Sequence, residues 1–432
     1  MSLNILVKSF GCSANMSDGE AIKGMLKNAE FRIVDENAEE IAMIILNVCT
    51  VKGDDNALTE IKKTLEKRPH CFLIVAGCVP KKLAKEIKKI KENATILGTH
   101  NLREIVSAVE ETIHNNPQVL LEQKRKPKVL LHKIRDNPII GIIPISNGCL
   151  GKCAYCSVRL IKGKLYSYPE DLIIKEAENC IKQGCKELWI TAQDTACYGK
   201  DTGTNITELL KKILALEGDF YVRLGMGTPQ HIKENIDELI EIFKHQKMFK
   251  FLHIPVQSGS NPVLRAMKRE YTIDEFNEII KKIRTAIPDI TIATDIIAGF
   301  PGETEKQFYD TILFLQNLKP DVLNISKFVA RTDTPAANKK DQIPGAEIKQ
   351  RSKKITDTFD FIGFEQNIKW KNWVGEVLID EHGKEGTMKA RNFAYKPIIV
   401  KGKYPPGKKI TVRIAKVTKH DLRGERILKL KE

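Results

Sequence analysis

From Pro138 onward the chain repeats one pattern about six times: a strand-length apolar run, then a helix-length polar–apolar segment. The runs are "IIGIIPIS", "ELWITAQD", "FYVRLGM", "KFLHIPVQ", "ITIATDIIAGF" and "VLNISKFV". Parallel strands cannot be joined by a tight turn, so each pair needs a crossover. Successive right-handed crossovers close into a full or partial barrel. The expectation is an α/β protein whose centre, residues 135–368, is a partial (βα)6 barrel with its chemistry at the carboxyl ends of the strands.

The same rhythm opens the chain. "NILVKSF", "AMIILNV" and "CFLIVAG" alternate with helices near "SDGEAIKGMLKNAE" and "ALTEIKKTLEKR", so residues 1–118 are expected to form an open parallel α/β sheet. The charged, Pro-containing "NNPQVLLEQKRKPKVLLHKIRDNP" reads as a linker that lies partly extended. After the helical "GAEIKQRSKKITDTFDFIGFEQNIKW" come "WVGEVLID", "GTMKARN", "KPIIVKG" and "KITVRIAKV", parted by the turns "HGKEG" and "YPPG". Residues 369–432 are therefore expected as a small β-barrel. That segment carries 17 Lys and Arg against 7 Asp and Glu, ten of the chain's +15 excess. Charge concentrated in this way favours a polyanionic partner. No apolar run reaches membrane-spanning length, and "MSLNILVKSFGC" lacks a basic-then-apolar leader, so a cytoplasmic protein with no membrane partner is expected.

In a reducing compartment the ten cysteines are free thiols or ligands. Cys149, Cys153 and Cys156, in "CLGKCAYC", directly follow the first barrel strand. Structural zinc wants four ligands and usually opens on another spacing. Three thiols fit a cubane iron–sulfur cluster with one iron left open. Cys12, Cys49 and Cys78 each end an apolar strand of the first sheet, where parallel strands present a common ligand-binding edge. They imply a second cluster, again with an open iron. Cys71, Cys180 and Cys185 read as core residues; Cys197, past the second barrel strand, reads as structural.

These residues resemble a known family. "CLGKCAYC" is similar to the cluster signature of radical S-adenosylmethionine enzymes. "GCSANMSDGE", "LNVCTV", "AGCVP", "LHIPVQSGSNPVLRAMKREYT" and "DIIAGFPGET" resemble the methylthiotransferases, and the C-terminal segment resembles a TRAM domain, an RNA-binding module. The resemblance spans essentially the whole chain. It is strongest to the archaeal and eukaryotic branch, which acts on N6-threonylcarbamoyladenosine beside the tRNA anticodon and yields its 2-methylthio derivative. Two positions depart from the pattern: Val48 before Cys49, and Asp333 in "ARTDTPAA".

The resemblance implies two 4Fe–4S clusters, one on Cys149, Cys153 and Cys156 and one on Cys12, Cys49 and Cys78, with S-adenosylmethionine on the first. It also implies tRNA, a low-potential electron donor such as a ferredoxin or flavodoxin, and a sulfur donor as partners. No catalytic acid–base dyad stands out, as expected where the hydrogen to be removed has no useful acidity. Gln193, Arg223 and Gln257 are the candidate contacts to S-adenosylmethionine, Arg suiting a carboxylate and Gln a ribose. "GFPGET" (Gly299, Gly302, Glu303) marks a strand-to-helix turn. For RNA, Lys389, Arg391, Lys396 and Lys401 stand among Phe393 and Tyr395. Two alternatives remain: the same chemistry on isopentenyladenosine or a ribosomal protein, and a metal-stabilised RNA-binding protein without enzymatic activity.

Overall fold

The computed structural model describes residues 3–49 and 53–427, so Thr50 and Val51 of "LNVCTV" lie outside it. The first sheet has six parallel strands: β1 (Asn4–Ser9), β2 (Arg32–Val34), β3 (Met43–Val48), β4 (Phe72–Gly77), β5 (Thr95–Gly98) and β6 (Val119–Leu120), in the order β2-β1-β3-β4-β5-β6. Helices α1 (Ser13–Asn28), α2 (Asp54–Lys67), α3 (Lys81–Ile90) and α4 (Ile105–Ile113) cover its two faces. Leu6, Ile44 and Leu46 pack with Ile61, Leu83 and Ile87 on one side. Ile5, Met43 and Ile45 pack with Ile22, Leu26 and Ile105 on the other. This period of two, with both faces covered, explains why β3 is apolar almost throughout. Strands β2, β5 and β6 were not expected; at two to four residues each they are too short to carry a pattern of their own.

The linker is extended, and it is tightly held. The ammonium of Lys128 meets Asp18 of α1 at 2.7 Å, and that of Lys133 meets Glu176 at 2.6 Å. Glu176 also accepts from the Leu130 amide at 2.9 Å.

The barrel strands are β7 (Ile140–Pro144), β10 (Glu187–Thr191), β11 (Tyr221–Leu224), β12 (Phe251–His253), β13 (Thr291–Ala298) and β14 (Val322–Lys327). They form two three-stranded parallel sheets, β7-β10-β11 and β12-β13-β14. A parallel bridge between Val222 and Met248 joins them into one open arc. A two-residue pair, β8 (Ser146–Asn147) with β9 (Tyr166–Ser167), pins the base of the cysteine loop, which carries the short helix α5 (Val158–Lys162).

The C-terminal strands, β15 (Val374–His382), β16 (Thr387–Arg391), β17 (Pro397–Lys401), β18 (Lys409–Val417) and β19 (Leu422–Arg426), close a barrel in the order β15-β16-β17-β19-β18. Four were expected; β19 was not, because "LRGER" is mostly charged and puts only Leu422 and Gly424 inside. This barrel sits against the amino ends of the central strands. Leu378 joins Ile139 and Ile140 in one cluster, Lys409 reaches Asp219 at 2.6 Å, and the Lys250 amide donates to the Phe393 carbonyl at 2.8 Å.

Candidate functional site

The barrel thiols sit in a loop fixed from several sides. Gly148 turns the chain at φ +79°, where a Cβ would stand 2.2 Å from the Lys164 carbonyl. Its amide donates to Gln193 Oε1 at 2.8 Å, so Gln193 anchors the turn entering Cys149. The Ala154 amide bonds the Met267 carbonyl, and the Ala154 carbonyl receives the Ala336 amide, each at 2.9 Å. The sulfurs collect donors: the Gly151 amide reaches Cys149 Sγ and Arg269 Nη1 reaches Cys153 Sγ, both at 3.2 Å. Buried Arg269 spends its other groups on Tyr271 Oη and the Pro255 carbonyl. N–H donors and a guanidinium favour thiolates.

A Cβ at Gly151 would lie 3.4 Å from Cys149 Sγ and 3.6 Å from Cys153 Sγ, so the two sulfurs border one small space. Hydrogen bonding to Cys197 pulls the Cys149 thiol down, whereas burial pushes Cys156 up. Cys197, read from sequence as structural, is thus a neighbour of Cys149 at the site.

The N-terminal thiols converge at the carboxyl edge of the first sheet. Hydrogen bonding to Cys49 holds Cys12 and Cys78 below the ordinary thiol range and pushes Cys49 above it. Gly11, at φ +132°, lets the chain pass where a Cβ would fall 2.3 Å from Cys49 Cβ. Asn15 donates to the Phe10 and Asn47 carbonyls at 2.7 and 3.0 Å, and Asn47 returns a bond to the Asn15 carbonyl at 2.7 Å. Among the described residues, no three His, Cys, Asp or Glu are grouped as ligands of a single metal ion. The N-terminal set offers three thiols, and the barrel loop offers three with Cys197 beside Cys149; thiol-only donor sets of this kind fit a multi-iron cluster.

The two thiol sets meet across one seam. Ser13, beside Cys12, shares a 2.7 Å hydrogen bond with Thr191 at the end of β10. His100, whose imidazole pKa is lowered by burial against the opposing backbone contacts, lies 3.0 and 3.2 Å from the Lys124 and Ile161 carbonyls. A cavity of about 270 Å³ opens here, between Val79 and Pro80 after Cys78 and Ser157 after Cys156. Lys81, Lys82, Gln123 and Asp333 also line it.

Gln257 takes φ +73° past β12, its carbonyl receiving the Ile297 amide at 3.0 Å. Arg223 is not brought to the cysteine loop; its guanidinium lies 5.0, 4.9 and 5.1 Å from the rings of Trp189, Phe251 and Tyr395, toward the barrel floor. Glu303 in "GFPGET" is buried on Arg351 at 2.6 Å, tying β13 to helix Gly345–Ile368.

The expected RNA set needs correction. Arg391 pairs with buried Asp380 at 2.8 Å. Lys396 is buried on Asp321 at 2.7 Å, and Tyr395 packs its ring 4.7 Å from Phe249. All three serve the joint between the barrels, because that face of the C-terminal strands is covered by the central one. Lys401 and Phe393 remain exposed. A basic groove of about 470 Å³ instead runs between Lys401, Lys416, Arg423 and Arg426. Sequence reasoning also missed a lumen cluster in which His253 Nε2 meets Asp295 Oδ1 at 2.8 Å and Asn324 donates to the same oxygen at 2.7 Å. Its signal was polar residues inside otherwise apolar strands.

A partial βα barrel with a three-cysteine loop at its mouth defines a radical SAM protein. The model of the Radical SAM superfamily matches residues 143–315, that of "Uncharacterized protein family UPF0004" residues 4–98, and that of the TRAM domain residues 374–427. The fold is similar to that of the radical S-adenosylmethionine methyltransferase TsrM from Kitasatospora setae. That similarity has a TM-score of 0.52 at 13% identity, over 78% of this chain and 74% of that one. The "Probable threonylcarbamoyladenosine tRNA methylthiotransferase" of Methanothermobacter thermautotrophicus is 37% identical over 96% of this chain and 98% of its own. The human threonylcarbamoyladenosine tRNA methylthiotransferase is 37% identical over 98% of this chain and 73% of its own. The chain belongs to the threonylcarbamoyladenosine tRNA methylthiotransferase family.

Proposed function

We propose that the protein is a tRNA methylthiotransferase that places sulfur and methyl on C2 of N6-threonylcarbamoyladenosine. The observation that carries the reading is the facing of two three-thiol sites across one seam, closed by the bond between Ser13 and Thr191. One site serves a radical source and the other a sulfur. In this reading Cys149, Cys153 and Cys156 hold a 4Fe–4S cluster and Cys12, Cys49 and Cys78 a second one. The first, with S-adenosylmethionine, supplies a carbon radical able to remove a hydrogen that no base would take.

The chain's own residues prepare that chemistry. Arg269 and the Gly151 amide steady thiolate charge on the loop. Gln193 fixes its entry, and Gln257 offers an amide at the strand ends. Arg223 supports the floor of the barrel. The seam cavity, lined by Lys81, Lys82 and Arg331 against Asp54, Glu122 and Asp333, with His100 and Gln123, is rich in charged and polar side chains, which suits a side chain bearing carboxylate, hydroxyl and urea groups better than an isopentenyl group. The basic groove of the C-terminal barrel suits tRNA phosphates. A ferredoxin- or flavodoxin-class reductant and a sulfur donor complete the set. Among the described residues no helix is long and apolar enough to cross a membrane. The test is nucleoside mass spectrometry of tRNA from a host depleted of the protein. Loss of 2-methylthio-N6-threonylcarbamoyladenosine is expected; an unchanged profile would refute the assignment.

A further inference from the structure

Helix α3 sets Lys81, Lys85 and Lys88 on one face, at spacings of four and then three residues. Among the described residues the ammonium groups of Lys81 and Lys85 have no hydrogen bond or ion pair, and that of Lys88 reaches only the Glu92 carbonyl, at 2.8 Å. The helix's one acidic residue, Glu86, is taken by Lys89 at 2.8 Å. Like charges stacked in this way repel one another unless an anion lies along them.

That face is one wall of a groove of about 610 Å³, floored by Ile96, Val119 and Leu121. The floor is open because β6 ends the first sheet and pairs only with β5, which leaves Val119 50% exposed. Lys81, Leu121 and Glu122 line this groove and the seam cavity alike, so the groove opens into the cavity. Glu122 is its one carboxylate, against three lysines. A second trough meets the cavity at Asp54, Lys82 and Arg331, but Asp54, Asp55 and Glu86 give it three carboxylates against two cations. A polyanion leaving the cavity is drawn to the first trough and turned away by the second.

We propose that the groove between α3 and the sheet edge takes the unpaired nucleotide joined to the target adenosine. Its base lies on Ile96, Val119 and Leu121, and its phosphates lie along Lys81, Lys85 and Lys88. The inference rests on the reading of the seam cavity as the seat of the modified base. A base seated there cannot arrive alone, because sugar–phosphate links tie it to a neighbour on each side. An aliphatic floor reads no base edge, so the grip is on the strand and not on its sequence. An acidic protein segment is the poorer occupant, because β6 is two residues long and too short an edge to pair with an added strand.

The experiment uses the full-length reconstituted protein and a synthetic anticodon stem–loop bearing N6-threonylcarbamoyladenosine. K85E with K88E should raise the Kd for this RNA about tenfold or more, and lower the slope of log affinity against log salt by roughly 0.7 for each phosphate released. V119E should weaken binding as well, whereas kcat at saturating RNA should hold in all variants. A 4-thiouridine placed on one side or the other of the modified adenosine should crosslink, on irradiation, to a peptide spanning residues 81–88 or 119–122. Native-like binding by K85E with K88E, or crosslinks to that peptide from neither side, overturns the groove. A loss confined to turnover driven by a protein reductant, with RNA binding intact, assigns the lysines to an acidic protein and overturns it too. Native protein that binds the stem–loop and leaves its adenosine unmodified overturns the reading of the seam cavity, and the groove with it.

Discussion

Glu187 is the residue whose replacement tests the joint between the two barrels most sharply. It opens β10, and its Oε2 accepts from Trp189 Nε1 at 2.9 Å and from Tyr395 Oη at 3.4 Å. Oε1 is buried without a partner. Burial first, and then the nearby Asp380, raise its carboxyl from 4.5 to about 7, more than Arg391 and Arg223 offset. Because the folded value lies above the unfolded one, the native state holds the proton more tightly. Its contribution to stability is complete below pH 4.5 and is lost as pH rises through about 7. At about 1.4 kcal/mol per pK unit, the loss approaches about 3 kcal/mol at pH 8. Glu187→Gln removes the titration and keeps an acceptor for Trp189, so it should stabilise the joint at pH 8 by that order and do little at pH 5. The assay is denaturant unfolding followed by tryptophan fluorescence. It reports the right place, since Trp189 lies at the joint and Trp370 and Trp373 belong to the C-terminal barrel. Parallel pH dependences for the variant and the native protein would refute the reasoning.

Other perturbations separate the remaining roles. Cys153→Ala should abolish 5′-deoxyadenosine release under reduction while leaving the iron at Cys12, Cys49 and Cys78; iron analysis showing loss of both clusters would count against independent sites. Tyr395→Ala empties a site ringed by Phe249, Phe251 and Arg223 and should cost about 3 kcal/mol or more, read as faster limited proteolysis between the barrels. Lys401→Ala with Arg423→Ala should weaken tRNA binding and lower the slope of log affinity against log salt by roughly 0.7 to 0.9 for each phosphate that is no longer neutralised. Undiminished binding in filter assays at several salt concentrations would move the RNA surface elsewhere.

The barrel was legible because periodicity is a local signal: six apolar runs, each separated by a helix, leave few topologies. The thiols were legible because Cys12, Cys49 and Cys78 each stand where a parallel strand ends, and that edge is shared. What stayed hidden depends on which face another unit covers. Arg391, Tyr395 and Lys396 look like solvated strand residues until the central barrel closes over them. Lys162 is one lysine on a five-residue helix, and its burial follows only once contacts from His100 to Ile161 and from Cys149 to Gly163 set where that helix lies. Strand β19 was hidden for the opposite reason, its charges facing out and Gly424 facing in.

The position of the C-terminal barrel beneath the amino ends of the central strands has a consequence for the size of a usable substrate. Under the proposed function, an RNA gripped by Lys401 and Arg423 would travel the outside of the protein for the length of a barrel strand, on the order of 20 Å, before a base reached the mouth at the opposite end. A free nucleoside or a short oligonucleotide touches one end or the other. On that proposal only a molecule with the reach of a folded stem and loop would engage both, and the distance between grip and mouth would act as a ruler.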